Sequence, residues 1–173
     1  NIKKYIKIIL LFLICLEVGI HSNIDINNRT LLSTDYIKQK EGAFDNTNEI
    51  ISYIRQNDNS FYRINKSYLS IGWNDPLIQG YFGTTAYISI NNPSYLNFLK
   101  ELNIEYPNMN VVKIPNNRQL LNTLLSVKYY ITRNPNDMPM GYRLLKTFSN
   151  AYLFENENYL PLGISYNSYI RKT

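Results

Sequence analysis

The chain has 173 residues, one Cys, one His and a formal net charge of +5. That length gives one domain of ordinary size room for a real core. A single Cys excludes an intrachain disulfide or a Cys-based metal site, and the lone His21 excludes a His-ligated zinc site and a usual Ser–His–Asp triad, so no cofactor or metal is expected.

Setting aside Lys3, Lys4, Lys7 and Glu17 leaves 15 basic and 12 acidic residues, a net +3 spread along the chain. Without a concentrated basic patch, nucleic acid is not an expected partner, whereas weak attraction to an anionic surface is. The 16 Tyr accompany abundant Asn, Ile and Lys. That composition reads as coding bias, and tyrosine also packs well on strands.

Residues 1–22, "NIKKYIKIILLFLICLEVGIHS", place basic residues before an apolar run. A lipoprotein signal would need a small residue before Cys15, and Ile14 stands there; a cleavage site of small residues is also missing. Residues Ile2–Ile20 just reach the roughly 20 residues of a membrane helix. A start at Asn rather than Met reads as the last span of a longer polytopic protein. Lysines at its N-terminal end put that end in the cytoplasm and residues 23–173 outside the cell membrane. Glu17 is expected to face other helices, water or the interface.

Residues 23–47 read as a polar connector. In "TNEIISYIRQND", Thr47 or Asn48 can cap a helix whose apolar stripe is Ile50, Ile51, Tyr53 and Ile54. "SFYRINKSY" alternates and predicts a strand at 60–66. "IGWNDPLIQGYFGTTAYIS" (71–89) holds the only Trp and three glycines. Its Asn74-Asp75-Pro76 is turn-forming, and a strand is expected over 84–90. "NNPSYLNFLKELN" predicts a helix capped by Asn92 with Pro93 at its first position and Tyr95, Leu96, Phe98, Leu99 and Leu102 buried. "NRQLLNTLLS" predicts another, capped by Asn116 or Asn117, with Leu120, Leu121, Leu124 and Leu125 inward. Both helices are expected to pack on a sheet containing strand 127–132. "YRLLKTF" and "AYLFENE" read as strands around a turn at Ser149-Asn150. Without a regular βαβ rhythm, the expected class is α+β, a mixed sheet with two to three packed helices behind one N-terminal transmembrane helix.

The ordered set "FYRI", the Gly-aromatic stretch, "LLSVKYYI" and "ENENYLPLG" resembles the extracytoplasmic portion of the YfhO family of bacterial membrane proteins. The resemblance runs from the apolar helix to near the C-terminus. It implies a multi-spanning GT-C-type glycosyltransferase that modifies envelope polymers such as lipoteichoic acid with a polyprenyl-phosphate-linked sugar. This segment would be the final span plus an outer accessory domain, with membrane lipid, lipid-linked sugar and envelope polymer as partners. In such enzymes the catalytic acid lies between early membrane helices, so no catalytic residue is carried over here.

Two readings of 71–87 remain open. Trp73, Tyr81, Phe82 and Tyr87 pack a loop whose glycines permit sharp turns. Alternatively Trp73 and Tyr81 stack on a sugar, with Asn74 and Asp75 as hydrogen-bond partners. Asp75 is explained by its turn, and Glu155 and Glu157 as turn or edge residues. A non-enzymatic, membrane-anchored envelope binding module is the competing function. A soluble hydrolase lacks its motifs.

Overall fold

The computed structural model describes residues 2–29, 34–35, 42–105, 108–165 and 167–169. The chain divides into two compact units, Asn1–Tyr36 and Ile37–Thr173. The first contains α1 (Ile2–Asn27), which continues past the expected end at residue 22. Its 26 residues at 1.5 Å each span about 39 Å, more than the hydrocarbon thickness of a bilayer. Among the described residues it is the one helix long and apolar enough to cross a membrane. Most of the rest of the expected connector lies outside the described residues; its end, Gly42–Phe44, forms a single 3-10 turn.

The second unit is α+β. A four-stranded mixed sheet has the order β1 (Arg63–Lys66), β4 (Val127–Thr132), β6 (Tyr152–Asn156), β5 (Tyr142–Thr147). β1 and β4 are parallel and the other pairings antiparallel. The crossover joining β1 to β4 carries α3 (Asp75–Ile78), β2 (Thr85–Tyr87), α4 (Pro93–Glu101), β3 (Val111–Lys113) and α5 (Gln119–Leu124). β2 and β3 form a separate antiparallel pair. Neither α3 nor β3 is expected from the sequence, because four and three residues are too few to show a period.

The side-chain period of two sorts the main sheet into faces. Ile64, Tyr129, Ile131 and Leu153 face α2 (Thr47–Asn57) and its Ile50, Ile51 and Ile54. Burying each such aliphatic side chain contributes about 1.5–3 kcal/mol. On the opposite face Tyr130, Phe154 and Tyr142 form a second cluster. A third core lies away from the sheet, where Leu99 of α4 meets Ile104, Val112, Ile114 and Leu121.

That third core corrects two expectations. α4 packs on β3 and α5 rather than on the four-stranded sheet. Its Tyr95 and Phe98 lie at the surface and stack on each other instead. Of the leucines of α5 only Leu121 is buried, while Leu120 is 74% and Leu124 43% exposed. The other buried positions of this six-residue helix are held by Asn122, which donates to Pro115 O and Asn116 O, and by Thr123, which accepts from Asn156, and Leu125 lies beyond the helix end.

The caps divide similarly. Asn92 accepts from Ser94 N at 2.9 Å, as expected. α4 then ends in a Schellman motif. Asn103 adopts φ 51°, Ile104 N donates to Leu99 O and Asn103 N to Lys100 O. The apolar contact of that motif, Ile104 on Leu99, is part of the third core. For α2 the donor at Thr47 N is met by Asp45 Oδ1 at 3.0 Å, not by a Thr47 or Asn48 side chain. The expected Asn116 or Asn117 cap is also absent: α5 begins after Arg118 without a side-chain cap.

Candidate functional site

The site grows from strand β1. In "YRINKSY" the alternation that buries Ile64 puts Lys66 on the same face, and Lys66 is 5% exposed. A buried ammonium needs a charge partner and further hydrogen bonds. Lys66 Nζ lies 2.9 Å from Asp75 Oδ2 and donates to Ser70 Oγ at 2.7 Å and Gln79 Oε1 at 3.1 Å. Asp75 is 0% exposed. Its carboxylate also collects the N–H groups of Ser70, Ile71 and Gly72, the latter two at 2.8 and 2.9 Å. One side chain thus pins the loop that leads into α3.

A second carboxylate completes the network. Asp45 is buried and accepts from Gln79 Nε2 at 2.9 Å and from Ser70 Oγ at 2.6 Å. Arg133, half exposed, reaches Asp45 Oδ2 at 3.4 Å, and its guanidinium lies 4.2 Å from the centre of the Tyr68 ring. Burial disfavours the charged form of Lys66 and lowers its pKa despite the opposing carboxylates. Burial acts to raise the pKa of Asp75, but the N–H bonds from Gly72 and Ser70 and the Lys66 bond outweigh it and leave the pKa lowered. A desolvated lysine is elsewhere a catalytic base, but here its side chain is enclosed and every named partner is internal. The chemistry of this cluster is positioning.

What it positions is the stretch 71–87. Asp75 holds the incoming turn, and Arg55 donates to Gly80 O at the far end of α3. Asn74 Oδ1 accepts from Tyr87 N at 2.7 Å, tying the turn to β2. Phe82 O accepts from Ile64 N at 2.8 Å, and Gly83 bridges Ile64, so this segment covers the outer edge of β1. Gly83 is needed there because a Cβ would lie 2.3 Å from Pro76 Cγ.

The four sequence-predicted contact residues therefore have distinct placements. Asp75 is interior, and it can act on a ligand only through the shape of the loop. Tyr81 packs on the α2-side core, and burial raises its phenol pKa. Trp73 and Asn74 are half buried, and Asn74 Nδ2 has no partner among the described residues. Around them the loop presents Leu77, 82% exposed, with Ile78 and Phe82. Glu155 and Glu157 are not a pair: Glu155 binds Arg143 across β5–β6 at 2.7 Å, and Glu157 N bonds Gly141 O.

Lys66, Asp45, Gln79 and Arg133 were not identified from the sequence. Lys66 carried a readable signal, a cation in phase with Ile64. The others come from three separate segments and carried none. Among the described residues no group of three His, Cys, Asp or Glu side chains could hold a metal ion.

One helix long and apolar enough to cross a membrane, beside a mixed α+β unit, fits the class of membrane-associated proteins with a folded domain. The chain belongs to the family described as bacterial membrane protein YfhO, whose model matches residues 1–173. Searches of curated proteins and of solved structures found no match.

Proposed function

We propose that the 37–173 unit is an extracytoplasmic accessory domain of a membrane glycosyltransferase. The parent would transfer a polyprenyl-phosphate-linked sugar to an envelope polymer such as lipoteichoic acid, and loop 71–87 would contact polymer or lipid-linked sugar. The observation that carries the reading is the family match over the whole chain. Orientation is supported by Lys3, Lys4 and Lys7 preceding the apolar run of α1. The contact surface is supported by a loop tied at several points and offering Trp73, an Asn74 Nδ2 without a partner among the described residues, and the exposed Leu77 and Phe82.

Two experiments test it. With Cys15→Ser as background, a Cys at exposed Leu120 should react with a membrane-impermeant maleimide in intact cells. Labelling only after lysis overturns the orientation. Trp73→Ala in the full-length protein should lower polymer glycosylation roughly three- to tenfold at unchanged abundance, the loss expected for one aromatic stacking contact. Normal glycosylation would remove the loop from the contact surface.

A further inference from the structure

The parallel pair β1–β4 ends at Lys66 and Ile131, with Ser67 N still donating to Ile131 O at 3.0 Å, and the two strands then diverge. In open sheets such a divergence beyond the carboxyl ends of parallel strands leaves a crevice. Here it is a cleft of about 560 Å³, inside the range of roughly 300–1,000 Å³ usual for small-molecule sites. It shares no residue with loop 71–87. Its lining includes Tyr130 of β4, Ser67 just beyond β1, the 116–117 turn and the 136–140 loop.

The lining chemistry is selective. Asn116, Asn117 and Asn136 supply carboxamides, each both donor and acceptor, and Ser67 and Tyr130 supply hydroxyls. Ser67 Oγ donates to Thr132 Oγ1 at 3.0 Å, and Thr132 Oγ1 in turn lies 3.3 Å from Asp137 Oδ2, which fixes the floor. Asn116 donates to Tyr130 Oη at 3.1 Å, while its Oδ1 is buried and has no partner among the described residues. Such an orphan acceptor calls for a reason. The Asn117 and Asn136 amides have no partner among the described residues. Met138 and Met140 provide apolar, adaptable surface at the rim. Among the described residues the lining contains no Lys, Arg or His, and Asp137 is its single charge. An anion would be repelled. A neutral ring with hydroxyls on its edge and C–H groups on its face matches amides, hydroxyls and thioethers together.

We propose that this cleft binds a neutral sugar unit. The test measures binding directly and so does not depend on polymer glycosylation. The full chain is placed in lipid nanodiscs, which keeps sugar-headed detergents out. Saturation-transfer NMR is recorded with methyl glycosides of glucose, galactose and N-acetylglucosamine, and with inorganic phosphate by phosphorus line broadening. At least one glycoside should bind in the millimolar range. Asn117→Ala and Asn136→Ala, both at exposed positions, should each weaken it about three- to tenfold, as loss of one or two hydrogen bonds does. Failure of all three glycosides to bind at millimolar concentration overturns the proposal. So does binding that both variants leave unchanged, or phosphate binding that the variants abolish.

Discussion

Replacing Asp75 with alanine should destabilise the 37–173 unit by about 3–5 kcal/mol, the cost of leaving a buried charge without its partner. Lys66 would stay enclosed at one end of the gap, and the N–H groups of Ser70, Ile71 and Gly72 would lose their acceptor. The chain reports this itself, since Trp73 is the only tryptophan and lies two residues away. Urea unfolding followed by its fluorescence, on the full chain in nanodiscs, should show an earlier transition. Asp75→Asn, which keeps one acceptor oxygen but no charge, should fall between. Lys66→Met with Asp75→Asn should recover part of the loss, because it removes both charges rather than one. An Asp75→Ala protein that unfolds like the wild type would show that the loop is held by other contacts. Acid should act in the same direction. The pKa of Asp75 is lowered in the folded state, so its contribution is complete above the unfolded value of about 3.9 and is lost as pH falls through the lower folded value. Asp58 adds to this loss: burial acts to raise its pKa, but bonds from Lys128, Ser60 and Tyr129 hold it well below the usual carboxylate range. Stability should thus decline below about pH 4, less steeply in Asp75→Asn.

Leu99→Ala should cost about 2–5 kcal/mol, whereas Leu124→Ala should cost under about 1 kcal/mol. Leu99 is fully enclosed by Ile104, Val112, Ile114 and Leu121 and anchors the Schellman ending of α4. Its truncation leaves a cavity that short, cross-tied elements cannot close. Leu124, at 43% exposure, has only part of its side chain to lose. Parallel melts of the two variants decide the matter. Equal losses would restore the four-leucine face to α5 and contradict the third core.

The comparison of these two leucines shows where sequence reading stops. "NPSYLNFLKELN" and "NRQLLNTLLS" have similar apolar density, and the helical period places several leucines on one stripe in each. Which of them is buried depends on the partner surface each one meets. β3, three residues long and unexpected from the sequence, supplies Val112 to the third core that selects Leu99 and Leu121.

The candidate site divides the same way. The turn chemistry of Asn74-Asp75-Pro76 and the packing of Tyr81 were readable from residue types. The interior position of Asp75 was not, because its partner Lys66 belongs to a different element and Asp45 to a third. The cleft beside Tyr130 was invisible, since Asn116 and Asn117 read as candidate helix caps and Asn136 as a loop residue until the fold brings their segments together.

By itself, then, the sequence determined the long apolar helix, the α+β class, the strands at 127–132, 142–147 and 152–156, and the family, because these rest on local period, composition and ordered motifs. The tertiary structure alone decided the parallel β1–β4 pairing, the Lys66–Asp75 ion pair and the choice of buried leucines. The β1–β4 pairing joins strands on either side of the 67–126 crossover, the ion pair joins β1 to α3, and the buried leucines are chosen among elements inside the crossover; in each case no local periodicity encodes which surface a side chain will meet.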